Sequence, residues 1–452
     1  MSTQPGERIA TLEDGTRIVL PDDLGTMTTF VVEEQRDWFE QELPFVRSLL
    51  EPGDRVVDIG ANFGLYALSM ARRVGPEGSV LAFEPTPTTA AFLRKSVEAN
   101  AAGWVRVEEV ALADEPGELS LSVGPSPELN QLTFDAPAGA GATVTVKVDT
   151  LARYGADLAG RVFVKLDAEG AEERIVRGAA GYFEREDPVV MFELKHGSRL
   201  NTSLLEVFES RGYALYALVP GLSALAPFDR SHIDPKLLNV FAVKRGRAEL
   251  LARRGKLALG TAADVEVDRG PANAYWAGAR HRGLVRGRDL PLSMAFWAMA
   301  KSAADVEVRY RAMEKAFAAA KKDVETRPSF PRRLTFARIA FDAGRPAQAV
   351  GELIEVLRAF DPDSETLEGP FLPVLPRWDE IDPGPKVGPF VAAQALAAVA
   401  KLRSFSGFFE GPDQLALLES FAAWGFPDPE MERRLSMARA RFGNVVVRRA
   451  DA

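Results

Sequence analysis

Cysteine is absent from the 452-residue chain, so disulfides, thiolate zinc sites and cysteine nucleophiles are excluded. Histidine is scarce, at three residues, which leaves little room for a histidine-rich metal centre. No apolar run reaches the roughly 18 residues of a membrane-crossing helix. The opening Met1-Ser2-Thr3-Gln4-Pro5-Gly6-Glu7-Arg8 lacks the charged-then-apolar layout of a secretory signal, so a cytoplasmic location is expected. Positive charge is in deficit, with 55 Lys and Arg against 64 Asp and Glu. That balance argues against nucleic acid as a partner, because a phosphate backbone needs a concentrated positive surface. What remains is a globular mix, 46% apolar and 26% charged, long enough for two or three domains.

From Asp54 to Val243, short β-branched runs alternate with helical stretches, the pattern of a mostly parallel sheet covered by helices. Core strands are expected at Arg55 to Ile59, Val80 to Phe83, Val105 to Val110, Val162 to Leu166 and Val189 to Leu194. Tyr213 to Leu218 and Asn239 to Val243 would add an antiparallel edge pair, giving a Rossmann-like α/β sheet of seven strands. Upstream, Arg8 to Leu20 reads as a hairpin around Asp14-Gly15, and Glu34 to Leu50 as one helix. Residues 1–53 thus form an extension, 54–244 the α/β domain and 245–290 a basic, Gly/Arg-rich linker. Residues 291–452 form an all-α C-terminal domain. Its helices are expected at Leu292 to Val324, Leu334 to Ala343, Pro346 to Phe360, Phe390 to Arg403, Leu415 to Ala423 and Glu430 to Phe442. Ala337, Gly344, Ala349 and Leu353 lie near tetratricopeptide spacing, but no second copy follows, so ordinary packing through small residues accounts for them.

Val56-Val57-Asp58-Ile59-Gly60-Ala61-Asn62-Phe63-Gly64 is a buried strand entering a glycine-bearing turn that opens a helix over Leu65 to Val74. Helix-terminal N–H groups at such a turn can meet a carboxylate, and Asp58 can receive a cationic amine or order the turn. A dinucleotide site wants Gly-x-Gly-x-x-Gly; the spacing here is Gly-x-x-x-Gly. This disfavours a nicotinamide or flavin cofactor and favours S-adenosylmethionine, whose amino-acid tail replaces the pyrophosphate. Gly60, Ala61, Asn62 and Gly64 then line the cofactor with Asp58. Glu84, at the tip of the second strand, sits in register to accept two ribose hydroxyls, and Ala111 and Leu112 are placed to pack on the adenine.

The fourth strand delivers Lys165, Asp167 and Glu169 to the ligand edge, with Lys165 and Asp167 on one face. Asp167 is a candidate general base; alternatively Asp167 and Glu169 hold a divalent cation, or Glu169 caps the next helix while Lys165 neutralises Asp167. The fifth strand ends in Phe192-Glu193-Leu194-Lys195-His196. His196 is a second candidate base, since its ordinary pKa of about 6.5 suits proton removal near neutrality, and Glu193 can orient it, contact the acceptor or join a cation site. Asn130 and Gln131, in a loop after a hairpin over Glu118 to Val123, are assigned to the acceptor together with Lys165.

Taken in order, Val57 to Gly64, Phe83-Glu84-Pro85, Ala111 to Asp114, Val164 to Gly170, Ile175 to Ala179 and Phe192 to Leu194 resemble the FkbM-type methyltransferase family. The resemblance spans about Val56 to Val243. It implies S-adenosylmethionine-dependent methyl transfer to an oxygen acceptor, often a sugar or polyketide hydroxyl in glycan or secondary-metabolite synthesis. An N-methyltransferase would use the same fold, and a non-catalytic scaffold acting through its helical tail is the third class. The resemblance is silent on residues 245–452, for which acceptor recognition or homo-oligomer formation is expected.

Overall fold

The computed structural model describes residues 6–122, 131–133, 143–196, 199–261, 264–284, 289–363 and 367–443. The chain divides into two compact units, one of residues 1–218 and 238–254, the other of 219–237 and 255–452.

In the first unit, seven strands of one mixed sheet run β1 (Arg55–Ile59), β2 (Ser79–Phe83), β3 (Val105–Glu108), β4 (Arg161–Leu166), β5 (Val189–Glu193), β6 (Tyr213–Val219) and β7 (Asn239–Lys244) in chain order. The sheet has eight strands rather than the seven expected, and across it these seven run in the order β6-β7-β5-β4-β1-β2-β3. The five central and outer strands β5, β4, β1, β2 and β3 are parallel, while β7 is antiparallel to both β5 and β6. Strand order therefore reverses between β4 and β1, and ligands of open α/β sheets bind outside the carboxyl ends of the strands at such a switch point. Register aligns those ends: Ile59 pairs with Leu166 and with Phe83, Leu166 with Phe192, and Glu193 with Asn239. Burial on both faces explains the near-continuous apolar runs, with Val56, Val57, Phe83, Phe163, Val164 and Phe192 all 1% exposed or less.

Three further expectations need correction. The third strand stops at Glu108, and Ala111–Ala113 instead joins a separate four-stranded sheet by pairing with Val148–Thr150. The helix expected over Glu34 to Leu50 is two helices, Met27–Gln35 and Glu42–Leu49. Arg36 ends the first in a left-handed conformation (φ 61°), and buried Asp37 anchors the connection by accepting from Arg47 at 2.8 Å. Leu292 to Val324 likewise divides, because Asp305 caps a new helix by accepting from the amides of Glu307 and Val308 at 2.8 and 3.0 Å.

The N-terminal strands Glu7–Thr11 and Arg17–Pro21 form the expected antiparallel hairpin. The second unit is built from helices Gly270–Gly278, Leu292–Ser302, Val306–Thr326, Phe330–Asp342, Pro346–Ala359, Val387–Leu402, Gln414–Trp424 and Pro429–Phe442 around one apolar core. Ala337, Ala349 and Leu353 are fully buried where two of these helices meet, and Gly344 takes a positive φ of 76° in their turn. Buried Arg338 is held by Asp342 and Asp379, each at 3.2 Å, and Asp342 also accepts from the Trp297 indole at 2.7 Å. The segment 219–237 belongs to this core through Val219, Leu222, Ala224 and Ala226. No helix among the described residues is long and apolar enough to cross a membrane.

Candidate active site

The turn after β1 shows why glycine stands at position 60. A Cβ there would lie 1.8 Å from the Asp167 carbonyl oxygen, and φ is 77°, so any side chain is excluded by contact and conformation together. Gly64 opens the helix Leu65–Val74 at φ 96°, with the Leu93 side chain 2.5 Å from where a Cβ would be. Between them Asn62 also adopts positive φ, at 49°. The turn is tied to the next strand end, since the amides of Gly60 and Ala61 both donate to the Phe83 carbonyl at 3.1 and 2.9 Å.

Glu84 reinforces that tie. Its Oε2 accepts from the Asn62 amide at 3.0 Å and its Oε1 from the Thr86 amide at 2.9 Å. Burial pushes its pKa up to about 6 despite those bonds.

Asp58 and Lys165 are register partners in β1 and β4, so they share a face and meet. Lys165 Nζ lies 3.5 Å from Asp58 Oδ1, 3.0 Å from Asp167 Oδ2 and 3.2 Å from the Gly60 carbonyl, with the Tyr66 ring centroid 5.4 Å away. Burial opposes the lysine's charge, but Asp167 and Asp58 outweigh it and hold its pKa above the ordinary value. Asp58 is 0% exposed, and neither of its carboxylate oxygens accepts a hydrogen bond. Burial raises its pKa against the pull of Lys165. Leaving a buried acceptor unsatisfied costs roughly 1–3 kcal/mol, more for a charged group, which marks Asp58 as a group built for a partner.

On the same edge, Asp167, Glu169 and Glu193 bring one carboxylate oxygen each within 4.8 Å of one another. Glu169 sits at φ 51° in the turn after β4. Glu169 does not cap the helix Glu172–Gly178, which has no side-chain cap; Glu172 instead closes the turn before it by accepting from the Ala168 and Gly170 amides at 2.9 and 3.1 Å. His196 lies in the two-residue strand Lys195–His196, paired with Arg199–Leu200; its side chain is outside the described residues. Ala111 and Leu112 are buried in the four-stranded sheet. Gln131 begins a strand paired with Ser120–Ser122 rather than a loop, and Asn130 lies outside the described residues.

The structure adds four residues that the sequence reading missed. The connection between the two N-terminal helices brings Glu40 to the site, where its Oε2 accepts from the Tyr66 hydroxyl at 2.6 Å and from Asn239 Nδ2 at 3.2 Å. Glu42 is buried beside it, and burial together with the Glu40 charge pushes its pKa up to about 8. Glu40 is itself raised by burial and by the nearby Asp167 charge. In sequence the only sign is an acid pair in the aromatic stretch Trp38-Phe39-Glu40-Gln41-Glu42, which carries no indication that the chain returns to the sheet edge.

Residues 58–215 match the family described as Methyltransferase FkbM domain. The chain is 26% identical over 181 residues to Methyltransferase 1 of Beauveria bassiana (strain ARSEF 2860), covering 35% of this chain and 72% of that protein. It is 41% identical over 81 residues to the 31-O-demethyl-FK506 methyltransferase FkbM of Streptomyces tacrolimicus, covering 18% of this chain and 30% of that one. A solved structure of Methyltransferase FkbM from Methylobacillus flagellatus KT is 16% identical, covers 45% of this chain and 48% of its own, and gives a TM-score of 0.31. The matched residues carry Asp58, Gly60, Glu84, Lys165, Asp167 and Glu193 on one sheet edge, and it is this part of the chain that is similar to FkbM-type methyltransferases.

Proposed function

We propose that this protein is an S-adenosylmethionine-dependent methyltransferase that methylates a hydroxyl on a small-molecule acceptor, a sugar, glycan or secondary metabolite. The observation that carries the reading is Asp58, a fully buried carboxylate without a hydrogen bond at the mouth of the glycine turn. Lys165 Nζ stands 3.5 Å away, too far for a hydrogen bond, and a ligand's primary ammonium is a complement that could supply one. Glu84 fits the ribose: it stands at the tip of β2 beside the glycine turn, its carboxylate oriented by the Asn62 and Thr86 amides. The relative named as an O-demethyl-FK506 methyltransferase supports oxygen as the acceptor atom.

When bound, S-adenosylmethionine supplies an electrophilic methyl group on a sulfonium. The chain's own residues hold the acceptor and take its proton. Asp167, partly exposed and fixed by Lys165, is the foremost proton acceptor, with Glu193 beside it and His196 two residues beyond Leu194. Positioning dominates such a displacement, so loss of the base weakens turnover by about 10²- to 10⁴-fold rather than abolishing it. The second unit is assigned to acceptor recognition or self-association.

Calorimetric titration of S-adenosylmethionine into wild type and Gly60→Arg, with NADH as control, tests the cofactor. Binding to wild type alone supports the reading; preference for NADH refutes it. The spacing of Asp167, Glu169 and Glu193 favours a second reading, in which a divalent cation lowers the acceptor's pKa. Heat from Mn²⁺ titration that Glu193→Gln removes would support it; absence of that heat leaves Asp167 as the base.

A further inference from the structure

The acidic groups around Lys165 do not end with the two it contacts. Glu40 and Glu42 reach the same neighbourhood from the connection and helix before β1, residues that precede the matched 58–215 domain. Glu40 is held in place by two donors, Tyr66 from the helix after the glycine turn and Asn239 from β7, and Asn239 pairs with Glu193 across the sheet. Two separate elements thus fix one carboxylate.

The charges do not balance. Lys165 lies close to Asp58 and Asp167 and acts on Glu40 from further away, while Glu42 lies beside Glu40 and acts on Tyr66. Tyr66 is neutral, its ionisation suppressed by burial and by the Glu40 and Glu42 charges, and Glu84 adds a further acid that interacts with Asp58. Concentrating acids where water is scarce is unfavourable for folding alone. Neither oxygen of buried Asp58 accepts a hydrogen bond, and its ion pair with Lys165 is long, at 3.5 Å, which leaves the carboxylate with capacity for a further cation.

We infer that Glu40 and Glu42 make the pocket a charge selector, favouring cationic S-adenosylmethionine over the S-adenosylhomocysteine left after transfer. The inference rests on the cofactor reading above. In the transfer, the acceptor oxygen forms a bond to the methyl carbon and the carbon–sulfur bond breaks. Its electron pair stays on sulfur, which becomes neutral, while the acceptor proton passes to the base. The ligand therefore loses one positive charge, and the product is released from an acidic site that no longer complements it.

The test is calorimetry of both ligands on the full chain as wild type, Glu40→Gln and Glu42→Gln, at pH 6.5 and 8.5 and low ionic strength. Thermal melts run alongside establish that each variant folds. Glu40→Gln is expected to shift the ratio of the two dissociation constants toward the product by on the order of fivefold, the effect of one partly screened charge. In wild type the ratio moves toward S-adenosylmethionine as pH rises and Glu42 loses its proton, and Glu42→Gln removes that dependence. If folded variants bind both ligands with the wild-type ratio at both pH values, the selector is wrong. If wild type binds neither ligand, the cofactor reading fails first and the selector with it. Should Glu40→Gln not fold, the pH dependence and its loss in Glu42→Gln decide the matter alone.

Discussion

Replacing Lys165 with methionine keeps a long unbranched side chain and removes the ammonium that serves Asp58, Asp167 and the Gly60 carbonyl. The Asp58 pair is the decisive one, since its side chains are 7% and 0% exposed; Asp167 is 35% exposed and its share is reduced by solvent. At 3.5 Å and an effective dielectric of about 20, one pair attracts by about 5 kcal/mol, part of which is offset by no longer desolvating the lysine. Breaking one side of a buried pair typically costs about 3–5 kcal/mol, and about 3 is expected here. The loss must depend on pH. Asp58 already has a raised pKa, so its ionised form is disfavoured in the fold, and without Lys165 that pKa climbs further. A raised carboxylate binds its proton more tightly folded than unfolded. Stability is therefore regained as pH falls through the folded value toward the ordinary value of about 3.9. Urea denaturation of wild type and Lys165→Met at pH 8 and pH 5.5 should show a gap that narrows at the lower pH. A gap below about 1 kcal/mol, or one equal at both pH values, would refute the argument that Asp58 is a buried charge sustained by Lys165.

Gly60→Ala should destabilise the first unit by about 2–4 kcal/mol and abolish S-adenosylmethionine binding, because its Cβ cannot occupy a point 1.8 Å from the Asp167 carbonyl; an unchanged melt and affinity would contradict this. Glu84→Ala leaves the Asn62 and Thr86 amides without their acceptor, and a loss of about 2 kcal/mol together with cofactor affinity is expected by denaturation and calorimetry. His281, buried in the second unit with Nε2 3.0 Å from the Phe371 carbonyl, has its pKa lowered by burial. Its contribution is complete above about pH 6.5 and is lost as pH falls through the lowered folded value, so His281→Gln should flatten the acid limb of the melting profile. Deleting residues 255–452 removes the core that buries Val219 and Leu222, and the shortened chain should aggregate or melt earlier by light scattering and calorimetry.

Local chemistry determined much of this protein before any tertiary contact formed. The alternation of β-branched runs and helices, the Gly60-to-Gly64 turn and the acids at strand ends are legible because strand periodicity and glycine conformation are properties of a few adjacent residues. They led directly to β1, to the helix Leu65–Val74 and to the edge that carries Asp58, Glu84 and Asp167. Where a local device overrode periodicity, the reading failed: the left-handed Arg36 and the Asp305 cap each divided a pattern that otherwise continues as one helix. Ala111–Ala113 continues an apolar run in sequence, yet its pairing lies with Val148–Thr150, a partner that no local pattern names. The same is true of the acidic site. Glu40 meets Tyr66 26 residues away and Asn239 199 residues away, so its role depends on the sheet order that brings β7 beside β5 and on the break that turns the chain back. The glycine turn and its cofactor chemistry are written in consecutive residues; the number of negative charges surrounding that turn, and the single lysine set against them, exist only once distant segments share one desolvated edge.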